Sequence, residues 1–500
     1  MDSYNQVGAG RVRIWCAKLF APACLALALP FPQAAAIPAA LEWKATSVPI
    51  PAGGQTSAST LNAETATLRV PENPQNSSGI HIELALMRLG ASTKTPGAPV
   101  VYLHGGPGGG ASFNVQSNEF LQMFSALRDV GDVILFDQRG AGQSKPSLRI
   151  EGKPALTENT LATREALLEF LIETSQAVRA RVIAAGSDPG RYTVRESVAD
   201  IEAIRRALGV PKIRLLAHSY GAQLAQAYLR EHPEAVERMI LIGSRGMDTA
   251  RKLPAEADRF IAMIDKQFEA SGSFKLDGGF AATLDRVLRR LDREPLQLDL
   301  SPLVGRPLKG RMGGDAFRFI VAKFYLNDPD NFRFLPKLLD DLEKGREPGS
   351  LYFNLRQMFS NAISLTWFTT DAANGASEDL LRRISGQRET ALLRDAMNFP
   401  FPEINAVWKM PDLGDGFRVP VQSSVPVLFV AGSLDGITPP AQSAAIAKTF
   451  PNARLVVVEN GGHASQLRAP GLAKAMAEFM AGRTVDATFA IPPPQFAAPK

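Results

Sequence analysis

The chain has 500 residues, 45% of them hydrophobic and 21% charged, with a formal net charge of +5. That length exceeds one ordinary core, so a core domain with a large insertion is expected, and the composition is that of a globular enzyme rather than a disordered or fibrous chain. The first 36 residues carry Arg11, Arg13 and Lys18 against Asp2, so +5 less +2 leaves +3 for the rest; with no Lys/Arg stripe, this excludes a nucleic-acid partner.

In chain order, the first 36 residues read as a cleavable signal peptide. The three basic residues precede a short apolar stretch, Leu19 to Leu29, and Ala34-Ala35-Ala36 offers a small-residue cleavage site. The apolar stretch is too short for a stable membrane anchor, so the protein is expected to be exported, to the periplasm or outside. Cys16 and Cys24 are the only cysteines and both lie in this segment. The mature chain is therefore expected to have no disulfide, thiol nucleophile or Cys-bound zinc. Residues 37–63 are rich in Pro, Ala, Gly, Ser and Thr and are expected to wrap the surface. Ala66 to Val70 and Ile80 to Leu89 suit strands of an antiparallel edge, with the turn at Pro71 to Gly79. Short apolar runs follow at Pro99 to Leu103 and Val130 to Phe136. Ser197 to Leu208 has helical spacing at Val198, Ile201, Ile204 and Leu208. Ile213 to Ala217 is a strand, Gln223 to Glu231 a helix, and Met239 to Ile242 a strand. Such alternation implies a mostly parallel sheet with helices on both faces.

The alternation then stops. Phe260, Ile261, Ile264 and Phe268 share a helical face, as do Leu284, Val287, Leu288 and Leu291, and Phe317, Ile320, Val321 and Phe324. The sheet resumes with Val425 to Ala431 and Ala453 to Glu459, and a helix over Gly471 to Met480 closes it. The predicted organisation is a signal peptide (1–36), a first part of the core (37–246), a helical cap (247–411), a second part of the core (412–485) and a loosely held Pro-rich tail (486–500).

Four segments, each just after a predicted strand, carry the chemistry. They are His104-Gly105-Gly106-Pro107-Gly108, Ala217-His218-Ser219-Tyr220-Gly221, Gly432-Ser433-Leu434-Asp435-Gly436 and Gly461-Gly462-His463. Serine, then Asp, then His is the chain order of an α/β-hydrolase triad. Ser219 is the candidate nucleophile, on a strand-to-helix turn. Of the five histidines, His81 lies in an edge strand, His104 precedes the glycine loop, His218 adjoins the serine with its side chain expected to point away, and His232 ends a helix. His463, in a Gly-Gly loop, is the candidate base and Asp435 the acid that orients it. The oxyanion hole needs backbone N–H donors. Tyr220 and Gly106 are the candidates, because Pro107 has none to give. A rival reading of the same loop exists: Gly106 to Ala111 matches G-x-G-x-x-A, with Asp137 ending the next strand, the outline of a dinucleotide site. It leaves Ser219, Asp435 and His463 without a role and sets Asp137 too far on. No HExxH, GxxxxGK[ST] or metal-spaced His/Asp cluster occurs, so no cofactor or metal is implied.

His-Gly-Gly-Pro-Gly at 104–108, Asp-Gln-Arg-Gly-Ala-Gly-Gln-Ser at 137–144 and the helical insertion resemble the proline iminopeptidase family of α/β hydrolases, peptidase family S33. The stretch from Pro411 to Arg418 and Gly432 to Pro439 resembles its tripeptidyl aminopeptidase branch. The likeness covers roughly 65–245 and 410–480. It implies an α/β-hydrolase fold, a small peptide substrate opened at its N-terminus, and structural roles for Asp137 and Arg139. It also implies acidic cap groups for the substrate ammonium; Glu256, Glu378 and Glu403 lie in the insertion, but each reads as a solvated charge. The turn departs from the family's Gly-Gly-Ser-Trp-Gly at Ala217 and Tyr220. An Ala there also occurs in esterases and lipases, so a small ester is the alternative substrate.

Overall fold

Strands form where branched and aromatic residues run together, and here the runs Val100–Leu103, Val133–Phe136, Ile213–His218 and Val427–Gly432 are buried on both faces. The computed structural model describes residues 41–49, 60–346, 349–359 and 364–499; the expected signal peptide and both cysteines lie outside these. The strands are β1 (Lys44–Pro49), β2 (Thr60–Pro71), β3 (His81–Leu89), β4 (Val100–Leu103), β5 (Val133–Phe136), β6 (Ile213–His218), β7 (Val236–Ile242), β8 (Leu296–Asp299), β9 (Lys309–Met312), β10 (Val427–Gly432), β11 (Ala453–Glu459) and β12 (Phe489–Ala490). Ten of them make one sheet in the order β1-β2-β3-β5-β4-β6-β7-β10-β11-β12. β1, β2, β3 and β5 pair antiparallel, and from β5 across to β12 the pairing is parallel.

Side-chain alternation gives the sheet two cores. On one face Val101, Leu103, Leu215 and Ala217 pack against Val198, Ile201, Leu224 and Tyr228 of the helices Val194–Ala207 and Tyr220–Glu231. On the other, Val100, Tyr102 and Leu216 meet Phe120, Phe124, Leu472 and Met476 of the helices Asn118–Leu127 and Leu472–Met480. The chain leaves β4 for β5 on one side and returns to β6 on the other. The crevice above the ends of β4 and β6 is thus the topological switch point, where such sheets hold ligands.

The residues between β7 and β10 are mostly helical and build a separate apolar cluster around Phe280, Leu288, Phe317 and Phe332. The mostly helical expectation there needs one addition: β8 and β9 form an antiparallel pair. With four residues each and only alternate side chains buried, they left no run long enough to read. Two expectations are corrected. Residues 37–63 do not merely wrap the surface, since Lys44–Pro49 pairs with β2 as an edge strand. Only Val48 of it is buried, so its sequence lacks apolar alternation. Nor is the tail loosely held. β12 pairs with β11, the Ile491 N–H donates to Glu459 O at 3.0 Å, and that of Ala497 to Arg333 O at 3.0 Å. Core, insertion and tail belong to one compact unit, Ala36–Lys500.

Candidate active site

Ser219 stands between the end of β6 and the helix Tyr220–Glu231 with φ +58° and ψ −120°, a conformation that costs a non-glycine residue strain. The turn is held on both sides. Its N–H donates to Ile242 O at 2.8 Å, and its carbonyl accepts from Ala222 at 3.0 Å and Arg245 at 3.3 Å. The helix lies close against β4 because Gly221 has no side chain; a Cβ there would overlap Leu103 O. The Tyr220 N–H opens the helix and has no intrahelical acceptor, at the positive end of the helix dipole. The glycine loop after β4 approaches the serine closely at Gly105, where a Cβ would lie 2.8 Å from Ser219 Cβ. Gly106 has φ +115°, a backbone region that favours glycine, and lines one cavity with Ser219.

Asp435 and His463 come from the loops after β10 and β11. His463 Nδ1 lies 2.7 Å from Asp435 Oδ2. The same carboxylate accepts the Thr438 hydroxyl at 2.7 Å and the N–H groups of Ile437 and Thr438 at 2.9 and 2.8 Å. Burial alone would raise the Asp435 pKa, but the imidazole beside it and the Thr438 donors outweigh burial and hold it below the usual carboxylate range. An ionised Asp435 fixes the proton on Nδ1 and leaves Nε2 as the free, basic nitrogen.

The base loop is clamped from beneath and above. The His218 ring reaches the base loop, where its Nε2–H donates to His463 O at 2.8 Å. Burial pushes its pKa down to about 3, so it stays neutral. From the insertion, Asn327 O accepts the His463 N–H at 2.9 Å, and the Asp328 carboxylate accepts those of Ala464 and Ser465 at 3.1 and 2.9 Å. The roles of Thr438, Asn327 and Asp328 did not emerge from the sequence, since such local hydrogen bonds leave no spacing pattern.

The other candidates have separate partners. His104 is buried against Tyr102 and Asn114, which takes its pKa down to about 4. His81 bonds Gly79 O at 2.9 Å on the surface, and His232 lies 4.0 Å from Glu234. Asp137 accepts from Ser112 and Gln143, and Arg139 makes a buried two-point pair with Asp200 at 2.8 and 2.7 Å, so both hold loops in place. Glu403 pairs with Arg164 at 2.7 Å, Glu256 lies 3.8 Å from Arg259, and Glu378 is exposed at a helix start. None of the three lines the cavity at Ser219.

That cavity, about 90 Å³, is lined instead by Arg245, Arg251, Lys252 and Lys323, with Asp371 as its sole carboxylate. Asp371 is already engaged by Arg245 and by the Trp367 indole at 3.0 Å. Arg245, Arg251 and Lys252 follow β7 on the strand-end side where function gathers, a signal the sequence offered. Lys323 and Asp371 arrive from the insertion and offered none.

A family model described as alpha/beta hydrolase fold matches residues 98–470. The chain belongs to the α/β-hydrolase family. Among curated relatives, the hydrolase is 31% identical over 179 residues to a proline iminopeptidase of Xylella fastidiosa, covering 34% of this chain and 42% of that one. It is 30% identical over 172 residues to the putative hydrolase YuaR of Escherichia coli, covering 33% and 32%. It is 29% identical over 189 residues to the serine protease Hip1 of Mycobacterium bovis, covering 35% of each. The match thus spans about a third to two-fifths of these relatives.

Proposed function

We propose that this α/β hydrolase is a serine hydrolase that opens the amide or ester bond of a small substrate through an acyl-enzyme on Ser219. The observation that carries the reading is the strained serine turn, whose His218 ring lies 4.7 Å from the His463 ring, and the lock of that His463 imidazole onto a buried, ionised carboxylate. Ser219 Oγ attacks the carbonyl carbon as its proton passes to His463 Nε2. The oxyanion is met by the N–H groups of Tyr220 and Gly106. Collapse breaks the bond to the leaving amine or alcohol, which takes the proton from His463. Water then attacks the acyl-enzyme by the same steps and frees the acid and Ser219.

The relatives named as proline iminopeptidase and serine protease support a peptidase that releases an N-terminal residue or short peptide. One observation favours the ester reading: the sole carboxylate lining the cavity is spent on Arg245, so a substrate ammonium finds no free partner there. We further propose export, on the strength of residues 1–36, with Ile37 opening the mature chain; mass spectrometry of the protein from its own host tests this, and a mature chain retaining Cys24 would refute it. The deciding experiment for the chemistry is labelling with a fluorophosphonate, followed by rates on one aminoacyl anilide with and without an N-acetyl group beside short-chain esters. Label on Ser219, lost in Ser219→Ala, is expected; label on Ser144 or Ser433 would overturn the assignment. Faster cleavage of the free amine identifies the aminopeptidase, and faster cleavage of the capped form or of esters identifies the ester hydrolase.

A further inference from the structure

The cavity at Ser219 holds more positive charge than its own residues answer. Arg245 is matched by Asp371, but Arg251, Lys252 and Lys323 pair with no carboxylate among the described residues. Arg251 is 7% exposed and stacks on the Phe401 ring at 3.7 Å. One of its terminal nitrogens donates to Asp371 O at 3.1 Å and the other has no partner. Lys252 Nζ is shut off from solvent with no hydrogen bond at all. Its backbone is fixed by Asn398, whose side chain accepts from Lys252 N at 2.7 Å and donates to Lys252 O at 2.8 Å. Lys323 Nζ reaches Met397 O at 3.0 Å and lies 4.4 Å above the Trp367 ring. Asn398, Met397, Phe401 and Trp367 line the same cavity, so the three cations share its wall with the groups that hold them.

Buried cations without counter-charge cost stability, and a fold retains such an arrangement where a ligand completes it. We propose that the substrate carries a carboxylate beside its scissile bond, and that Arg251, Lys252 and Lys323 bind it. The inference rests on Ser219 as the nucleophile and specifies what that site takes: the acid group lies on the acyl part, as in a half-ester of a dicarboxylic acid, or on the leaving part, as in the free C-terminus of a short peptide. The lysines are consistent with this. Burial first, and then Arg245, bring Lys252 down to about 8 against the opposing pull of Glu256, Asp435 and Asp371; burial brings Lys323 down to about 7, with Asp371 opposing and the nearby cations adding to the drop. Both are groups that an arriving anion would restore to full charge.

The test compares matched esters on the whole protein. Mono-4-nitrophenyl succinate against 4-nitrophenyl butyrate places the acid on the acyl side, and 4-butyryloxybenzoate against phenyl butyrate places it on the leaving side. At least a tenfold higher kcat/KM for the acid is expected in one of the two pairs. Lys252→Met and Lys323→Met should each reduce that ratio at least fivefold. Independently of turnover, glutarate but not glutaramide should slow fluorophosphonate labelling of Ser219. Ratios near one in both pairs with equal labelling in glutarate and glutaramide would overturn the carboxylate and leave the serine hydrolase standing. Absence of label on Ser219 would overturn the serine hydrolase itself.

Discussion

At the scale of the residue, the arrangement turns on one proton. Asp435 accepts four hydrogen bonds in a buried pocket, one of them from the His463 ring. Asp435→Asn keeps the shape but removes the charge that fixes the ring tautomer, so kcat should fall by about 10⁴-fold with the fold intact; circular dichroism beside steady-state rates checks both parts. Ser219, Asp435 and His463 were legible because each follows a strand and each is a reactive type in a glycine-flanked loop. Two charged residues of the cavity were not. Lys323 and Asp371 lie on insertion segments far along the chain from the triad's own loops, and a buried lysine reads in sequence like any charged residue on an amphipathic helix.

At the scale of elements, two ties hold the machinery in position, and each makes a prediction. The first joins insertion to base loop. Asp328 accepts two N–H groups of the loop that presents His463, so Asp328→Ala should free that loop and lower kcat by about 10- to 100-fold. Asp328→Asn, which keeps an acceptor, should recover part of the loss; unchanged rates in both variants would show the loop to be held by other contacts. The second joins the two helices behind the nucleophile. Glu202 on Val194–Ala207 accepts from Arg205, Arg206 and the Tyr228 hydroxyl of Tyr220–Glu231. Burial would raise its pKa, but these donors prevail and bring it from 4.5 down to about 2. A carboxyl depressed on folding stabilises fully above its unfolded value and loses that contribution as pH falls through the folded one. The Tm difference between the protein and Glu202→Gln should therefore be greatest near neutral pH and shrink from pH 4.5 towards 2. Strands and helices with clear periodicity were legible. The helix Arg164–Ala184 was not, because Ser175 interrupts the apolar residues of its buried face, leaving Leu167 and Phe170 too far from Val178 and Val182 to read as one stripe.

At the scale of the whole molecule, the insertion bears on catalysis because it is fastened to the core rather than hinged freely over it. Segment 326–328 reaches both the acid and base loops, through Leu326 O to Gly436 N at 3.1 Å and Asn327 O to His463 N at 2.9 Å. With Ser219 8% exposed in a cavity of about 90 Å³, folded proteins should not be cleaved while short amides or esters are, which a casein assay beside small chromogenic substrates checks. The tail is a second fastening. After β12 adds to the sheet edge, the chain crosses to the insertion, where Phe496 is 7% exposed and meets Phe268 and Phe332 at 5.3 and 6.1 Å between ring centroids. Proline-rich composition suggested a loose end; three buried apolar side chains, Phe489, Ile491 and Phe496, outweigh it. Removing the last ring empties a packed site, so Phe496→Ala should cost about 3–5 kcal/mol of stability. The loss should fall on the insertion first, because its cluster is the one Phe496 completes. Hydrogen exchange should then rise in Pro254–Ser271 and Pro329–Phe332 before it rises in β6 and β10. A uniform rise across sheet and insertion would instead show that the two unfold as one and that the tail adds no separate hold.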